Sequence, residues 1–302
     1  MPKTMPQLRI FQILALLLPL SCAQEPPPQV NLANEIRARH WSYIRHGQNW
    51  RGICHTGEEQ SPIRLDAKKS VFITLPDIEF ENYDEILRFP VILQNNGYTA
   101  HMDIPETRSN RRPYITGGML QGRYMAESLQ FHWGSSIWTA GGAEHWIEGK
   151  HHDVEMQIVH RNFRYPNLSE AVKHKDGLAI LAVIFRIDRG PGYTVRALKK
   201  ITDQLLKIRR FKDQTLIEED LTLMELLGDL NTKRFFTYSG SLTTPDCQEV
   251  VTWTVFSQTL PIGVDEANNF WNLTSFGGQK LLANYRYVQN LHDRTVFVNS
   301  NR

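Results

Sequence analysis

The sequence predicts a mainly β (α+β) protein, a single domain around a large, twisted, mostly antiparallel central sheet with short peripheral helices. Short runs rich in β-branched and aromatic residues recur along the chain, and turn signals such as Gly141-Gly142 separate them. Many strands with few helices favour a broad sheet with helices at its margins. The strand-like runs lie at residues 71–80, 89–104, 126–135, 154–163, 178–187, 252–260 and 294–299.

One stretch, residues 194–211, has the periodicity of an amphipathic helix. Its Lys and Arg residues are interpreted as the solvated face of that helix rather than as a binding patch. The apolar residues at helical spacing are Val195, Leu198, Ile201, Leu205 and Ile208.

The first residues have the organisation of a secretory signal peptide, predicted at 1–23. Lys3 and Arg9 precede an apolar run, Ile10–Leu20, that is too short to span a bilayer. Small residues follow at 21–23, so the mature chain is expected to begin near Gln24. A secreted, extracellular protein is therefore predicted.

The mature chain is predicted to contain a Pro-rich spacer at 24–31 and one domain at 32–302, because no linker-like shift or repeat interrupts the latter. Removal of Lys3 and Arg9 takes the net charge from +2 to 0, which argues against a nucleic-acid partner. Because the sequence ends in the polar segment 296–302, no membrane anchor is expected. The expected partner is an unidentified extracellular protein or small molecule.

Cysteine use agrees with export. Cys22 lies in the predicted signal peptide, and Cys54 and Cys247 then remain as an even pair, most simply one disulfide. Two sequons, at Asn167 and Asn272, are candidate glycosylation sites in the same compartment.

Polar residues on two predicted strands form the candidate site. Strand periodicity places Gln130 and His132 on one face of the first, and Glu155 and Gln157 on one face of the second. Glu144 and His145 lie between the two strands, and a hydroxyl-rich turn is predicted at 238–247.

Taken in order, these segments resemble the alpha-class carbonic anhydrases of secreted type, and the Cys54–Cys247 pair matches the disulfide of those members. The resemblance covers nearly the whole mature chain and implies the family's fold. Its motifs are HWSY (40–43), EEQSPI (58–63), NNGYTA (95–100), FHWGS (131–135), AEHW (143–146), VEMQIVH (154–160), DGLAIL (176–181), YSGSLTTP (238–245), VTWTV (251–255) and NYR (284–286).

The resemblance implies a zinc site held by three histidines, from which this sequence departs. His132 occupies one ligand position, while the other two are Gln130 and Gln157. Ser128 also replaces the glutamine that usually supports the first ligand. A glutamine offers a neutral amide oxygen, which suits harder cations than zinc. No zinc cofactor is therefore expected.

Other residues match the family's catalytic apparatus. Thr243 matches the threonine that orients a zinc-bound hydroxide, and Glu144 matches the carboxylate that accepts its proton. Tyr98 stands at the position of the proton-shuttle histidine, and its ordinary pKa near ~10 makes it a poor relay at neutral pH. His145 matches a structural histidine. The substrate wall for carbon dioxide is matched by Val159, Ile180, Leu242, Thr244 and Trp253.

Other histidines are candidates to rescue a metal site, with a structural role favoured for each. His101 is expected on the cavity wall, and His151-His152 in a turn that points away. His160 is expected to be a buried, hydrogen-bonded histidine.

Three functions follow as hypotheses. The favoured one is a secreted carbonic-anhydrase-like protein, zinc-free and catalytically inactive, that acts as a binding or scaffold module, as the acatalytic carbonic anhydrase-related proteins do. The alternative is an active zinc enzyme that interconverts carbon dioxide and bicarbonate through an altered metal site around His132. The third is a cavity that now binds another small molecule.

Overall fold

The computed structural model describes residues 41–135, 141–190 and 194–300. The predicted signal peptide, the spacer and His40 lie outside these residues. The α-helices are all short: α1 (Ile53–Thr56), α2 (Leu168–Ala171), α3 (Arg196–Thr202), α4 (Leu223–Leu227) and α5 (Val264–Phe270).

The strands account for most of the regular structure of the described residues. They are β1 (Arg64–Leu65), β2 (Val71–Ile73), β3 (Glu79–Glu81), β4 (Ile92–Asn95), β5 (Ala100–Asp103), β6 (Tyr114–Thr116), β7 (Tyr124–Trp133), β8 (Trp146–Ile147), β9 (Lys150–His151), β10 (Val154–Asn162), β11 (Leu178–Asp188), β12 (Gln214–Leu216), β13 (Arg234–Gly240), β14 (Val251–Gly263) and β15 (Phe297–Ser300).

A twelve-stranded sheet dominates the molecule, with the strand order β12-β4-β5-β7-β10-β11-β14-β13-β15-β2. Strand β6 pairs with both β7 and β3. The pairs β11–β14 and β15–β2 are parallel, and the other pairs in this sheet are antiparallel. The predicted broad, mostly antiparallel sheet is confirmed.

The central strands are buried on both faces, which is why their sequences are continuously apolar. On β11, Leu181, Val183 and Phe185 join the cluster that the helices cover, and Ile180 and Ala182 face the opposite cluster. The second face carries the polar residues of the candidate site, because side chains alternate along each strand.

The prediction of one helix over 194–211 is wrong in its extent. Helix α3 ends at Thr202, and a 3-10 turn, Leu205–Lys207, follows. The Asn269 side-chain amide donates to the Thr202 carbonyl at 3.1 Å and so occupies an acceptor that a continuing α-helix would use. The five apolar residues of the stretch are nevertheless all buried.

The hydroxyl-rich segment 238–247 is not a turn throughout. Its first residues, 238–240, complete strand β13, where Tyr238 pairs with Trp253 of β14. The long predicted runs at 71–80 and 89–104 each divide into two strands. Strands β6, β8 and β12 are too short to give a period-2 signal, and the sequence did not predict them.

Candidate functional site

The strand register brings the predicted site residues into adjacent rows across the sheet. One row joins Gln130 on β7 to Gln157 on β10 and then to Ala182 on β11. The next row pairs His132 with Glu155. Gln130 and His132 share a face of β7, and Glu155 and Gln157 share a face of β10, as strand periodicity predicts. The register then brings the four polar side chains to one place.

The amide of Gln157 lies between two carboxylates. Its Nε2 donates to Glu155 Oε1 at 2.8 Å and to Glu144 Oε2 at 3.0 Å. Carboxylates accept but do not donate when ionised, so they fix the orientation of this amide. The Gln157 oxygen therefore faces away from them, toward Gln130.

The amide nitrogen of Gln130 lies between two acceptor atoms, Gln157 Oε1 and His132 Nε2. This nitrogen donates to Gln157 Oε1 at 2.9 Å and lies 3.4 Å from His132 Nε2. His132 donates from Nδ1 to the Asn284 carbonyl at 2.8 Å, which leaves its Nε2 as an acceptor when the ring is neutral. Gln130 is thus the donor to both Gln157 and His132.

Glu144 is fully buried, and hydrogen-bond donors surround its carboxylate. Besides the Gln157 amide, it accepts the backbone N–H of Arg286 at 2.8 Å and a hydrogen bond from the Thr243 side chain. Burial raises the pKa of the Glu144 carboxyl, while the nearby His132 opposes that rise. The predicted contact of Glu144 and Thr243 is present.

Glu155 anchors a second polar group on the other side of Gln157. It accepts the backbone N–H of His145 at 2.8 Å and lies 3.0 Å from the ring Nδ1 of the same residue. Burial alone would raise the pKa of Glu155, but the charge and hydrogen bonds of His145 lower it to about 2. The other ring nitrogen of His145 lies 2.7 Å from the Tyr238 hydroxyl, which donates to Ser61 at 2.9 Å.

Comparison with known proteins identifies the family. The model of the eukaryotic-type carbonic anhydrase family matches residues 38–300. The chain belongs to this family. Among its relatives, carbonic anhydrase 15 of Mus musculus is 32% identical over 251 residues, which cover 80% of this chain and 75% of the relative. Carbonic anhydrase 6 of Bos taurus is 31% identical over 249 residues, 80% of this chain and 73% of the relative. Carbonic anhydrase 12 of Homo sapiens is 32% identical over 247 residues, which cover 79% of this chain and 66% of the relative.

The zinc ion that this family normally binds does not fit the donors present here. A zinc site uses imidazole, thiolate or carboxylate donors in a tetrahedral arrangement. Here the lone pairs of His132 Nε2 and Gln157 Oε1 converge on the Gln130 amide nitrogen, which is a hydrogen-bond donor and not a metal ligand. A cation could bind only if the Gln130 amide flipped to present its oxygen, and it would then meet one imidazole and two neutral amide oxygens.

The other histidines of the described residues do not complete such a site. His101 pairs in register with Gln130, but its Nε2 lies 3.0 Å from Asp103 Oδ1 on the side of the solvent. His151 belongs to β9 instead of a turn, and its Nε2 lies 2.7 Å from the Ala143 carbonyl oxygen. His160 is buried against the Tyr83 hydroxyl. No group of three His, Cys, Asp or Glu residues within the described ranges could hold a metal ion.

The residues that match the carbon dioxide wall lie together beside the amide pair. Val159, Ile180 and Trp253 form one row across β10, β11 and β14, and Ser128 on β7 pairs with Val159 in the same row. Leu242 packs against the same cluster, and Thr243 is buried next to it. Thr244 is partly buried, and its carbonyl accepts the backbone N–H of Cys247. These contacts give the residues a packing role whether or not the site is active.

Tyr98, at the proton-shuttle position, stacks on Trp41 with ring centroids 4.1 Å apart. Partial burial raises the pKa of its hydroxyl further above the ordinary value, although a backbone hydrogen bond to Trp41 opposes the rise. A hydroxyl with so high a pKa stays protonated at neutral pH and relays protons poorly.

The structure also contains the predicted disulfide, between Cys54 and Cys247. Of the two sequon asparagines, Asn167 is exposed, and its side-chain oxygen caps helix α2. Asn272 is partly buried, and its amide lies within hydrogen-bond distance of the Asn268 carbonyl. In the described residues no helix is long and apolar enough to cross a membrane.

Two site residues escaped prediction although the NYR segment containing them was recognised. Asn284 accepts from His132 through its carbonyl and donates from its side chain to the Phe131 carbonyl at 2.8 Å. Arg286 is buried, and its guanidinium donates to the Ser61 and Cys54 carbonyls, both at 2.7 Å. Their contacts with His132 and Glu144 are nevertheless made by the Asn284 carbonyl and the Arg286 backbone N–H, and a backbone contact leaves no signature in residue type.

Proposed function

We propose that this chain is a secreted carbonic-anhydrase-like protein that binds no zinc, does not hydrate carbon dioxide and acts as a binding or scaffold module. The observation that carries the proposal is the Gln130 amide, which donates to Gln157 Oε1 at 2.9 Å and faces His132 Nε2 at 3.4 Å. A neutral N–H group satisfies the two lone pairs that a metal ion would otherwise need.

The energetic argument supports the same proposal. If a structural zinc site gains ~10–16 kcal/mol from four ligands, each donor contributes on the order of 3–4 kcal/mol. Replacement of two imidazoles then weakens zinc binding by about 10⁵-fold, of which the amide oxygens recover only part. A site so weakened does not retain zinc at ordinary extracellular concentrations.

The alternative is an active zinc carbonic anhydrase with an altered metal site. The observation in its favour is the retained hydrogen bond between Thr243 and Glu144, with the apolar residues beside it. Such an enzyme would hold zinc through His132 and two amide oxygens, and the metal would lower the pKa of its bound water toward ~7. The intact threonine–glutamate pair is also explained by packing alone, since both side chains are buried.

The decisive experiment uses the full chain expressed in cultured cells and purified from the medium without added zinc. We expect the protein in the medium with an N-terminus near Gln24, no stoichiometric zinc by mass spectrometry, and no carbon dioxide hydration above the uncatalysed rate. One equivalent of zinc together with hydration would establish the alternative.

A chelator provides a second test, because a resident metal stabilises the folded state by mass action. Dipicolinate is expected to leave the midpoint of thermal unfolding unchanged. A fall in the midpoint that added zinc reverses would contradict a metal-free fold.

A further inference from the structure

A cavity of about 450 Å³ is lined by Tyr43 and Tyr98 but by none of Gln130, His132 and Gln157. Two chain segments, 41–46 and 275–283, form its sides, and Gly97 and Tyr98 complete it. The centroid of the Tyr43 ring, which lines the cavity, lies 6.4 Å from that of His132. A volume of this size is in the range of small-molecule pockets.

The walls of the cavity are aromatic and aliphatic. Trp41 and Tyr98 stack face to face, with ring centroids 4.1 Å and planes 10° apart, so the outer face and aligned edges of the stack form an aromatic wall. On the opposite segment Phe276 is 38% exposed and Leu282 is 48% exposed. Apolar side chains left exposed around a concavity mark a binding surface more often than isolated exposed residues do.

The charge of the lining is one-sided. Lys280 is the cation, and none of the described residues that line the cavity is Asp or Glu. Lys280 also makes no ion pair with a carboxylate of the described residues. A ligand with a flat apolar body and one negative charge would match both the aromatic wall and this lysine.

We propose that this cavity binds small aromatic carboxylates. The ring of the ligand packs on the Trp41–Tyr98 surface and against Leu282, while its carboxylate lies at Lys280. The site uses neither Gln130 nor Gln157, so it does not depend on whether the chain holds a metal.

The test is a calorimetric titration of the full chain with 2-naphthoate, and with 2-naphthylmethanol as the neutral compound of the same shape. We expect 2-naphthoate to bind more tightly, and Lys280→Gln to weaken its binding about threefold while leaving the alcohol unaffected, as for a solvent-exposed charge pair. Absence of naphthoate binding, or equal affinity for acid and alcohol, would overturn the proposed ligand class.

A second pair of variants locates the site. Leu282→Asp places a negative charge at the cavity and should reduce naphthoate binding by at least about tenfold, through like-charge repulsion and lost apolar contact. Val71→Asp is the matched control, because Val71 is also exposed but lies on β2 at the edge of the sheet. Equal binding by the two variants would refute the location. Both positions are exposed, so neither change should prevent folding.

Discussion

The buried polar cluster around Gln157 has two sides that are built differently. On one side the charged Glu155 carboxylate lies 3.0 Å from the ring Nδ1 of His145, and the hydrogen-bond chain continues through Tyr238 to Ser61. On the other side Gln130 joins Gln157 to His132 through neutral amide hydrogen bonds. The charged side satisfies all its members without a metal. The amide side satisfies its members because the Gln130 amide nitrogen lies where the lone pairs of His132 Nε2 and Gln157 Oε1 converge.

The comparison indicates that residues at metal-ligand positions can change while the neighbouring hydrogen bonds of the fold are kept. Buried polar groups must find partners, since an unsatisfied buried group costs about 1–3 kcal/mol. A metal-binding triad meets that requirement through its ion, and the glutamines meet it through one another. The rest of the cluster, including Glu144 and Thr243, can then keep its contacts.

The largest effect is expected from Glu155→Gln on the charged side. The Glu155 carboxylate accepts from the backbone of His145 and from Gln157 and lies 3.0 Å from the His145 ring, so an amide there would oppose donor to donor inside the buried cluster. We expect a loss of about 3–5 kcal/mol in the free energy of unfolding, measured with urea. Glu127→Gln is the control, because Glu127 pairs with Arg112 and Arg161 at a partly exposed position. Comparable losses in the two variants would show that the buried side is not special.

A smaller effect is expected on the amide side. Gln157→Leu removes the donor to two carboxylates and should cost about 1–3 kcal/mol. Gln130→Leu should cost less than about 1 kcal/mol, because Gln130 is only partly buried and its partners can meet water. If Gln130→Leu proved the more destabilising, the direction of donation described above would be wrong.

His160, on β10, is a buried histidine outside this cluster, and its pKa predicts how stability depends on pH. Burial lowers the pKa of His160 to about 3, so between pH ~6.5 and ~3 the unfolded chain takes up a proton that the folded chain does not. The free energy of unfolding should therefore fall as the pH falls through this window, by up to about 1.4 kcal/mol per pH unit from this group.

The role of His160 is tested by measuring how the free energy of unfolding changes between pH 6 and pH 4 in the wild-type chain and in two variants. His160→Gln should flatten the dependence of stability on pH, whatever it does to stability at neutral pH. His55→Gln should leave the slope unchanged, because His55 is exposed. Identical slopes for the three proteins would rule out His160 as the acid-sensitive group.

Much of this picture could be predicted from the sequence, because side-chain alternation fixes which residues share a face. That rule placed Gln130 beside His132 and Glu155 beside Gln157, and the family's motif order supplied the pairing of the strands. The 194–211 helix was predicted too long because Asn269, some sixty residues away, competes for the Thr202 carbonyl. The roles of Asn284 and Arg286 depend on backbone groups, and the direction of the amide chain depends on two carboxylates from different segments. Neither is encoded in local periodicity.

The most direct test of zinc loss is a calorimetric titration with zinc. It compares the purified wild-type chain with the double variant Gln130→His/Gln157→His. The wild-type chain should take up no stoichiometric zinc, while the double variant should bind one equivalent that is lost again when His132→Gln is added. Uptake of one equivalent by the wild-type chain, abolished by His132→Gln, would contradict the claim that the amide pair has replaced the metal.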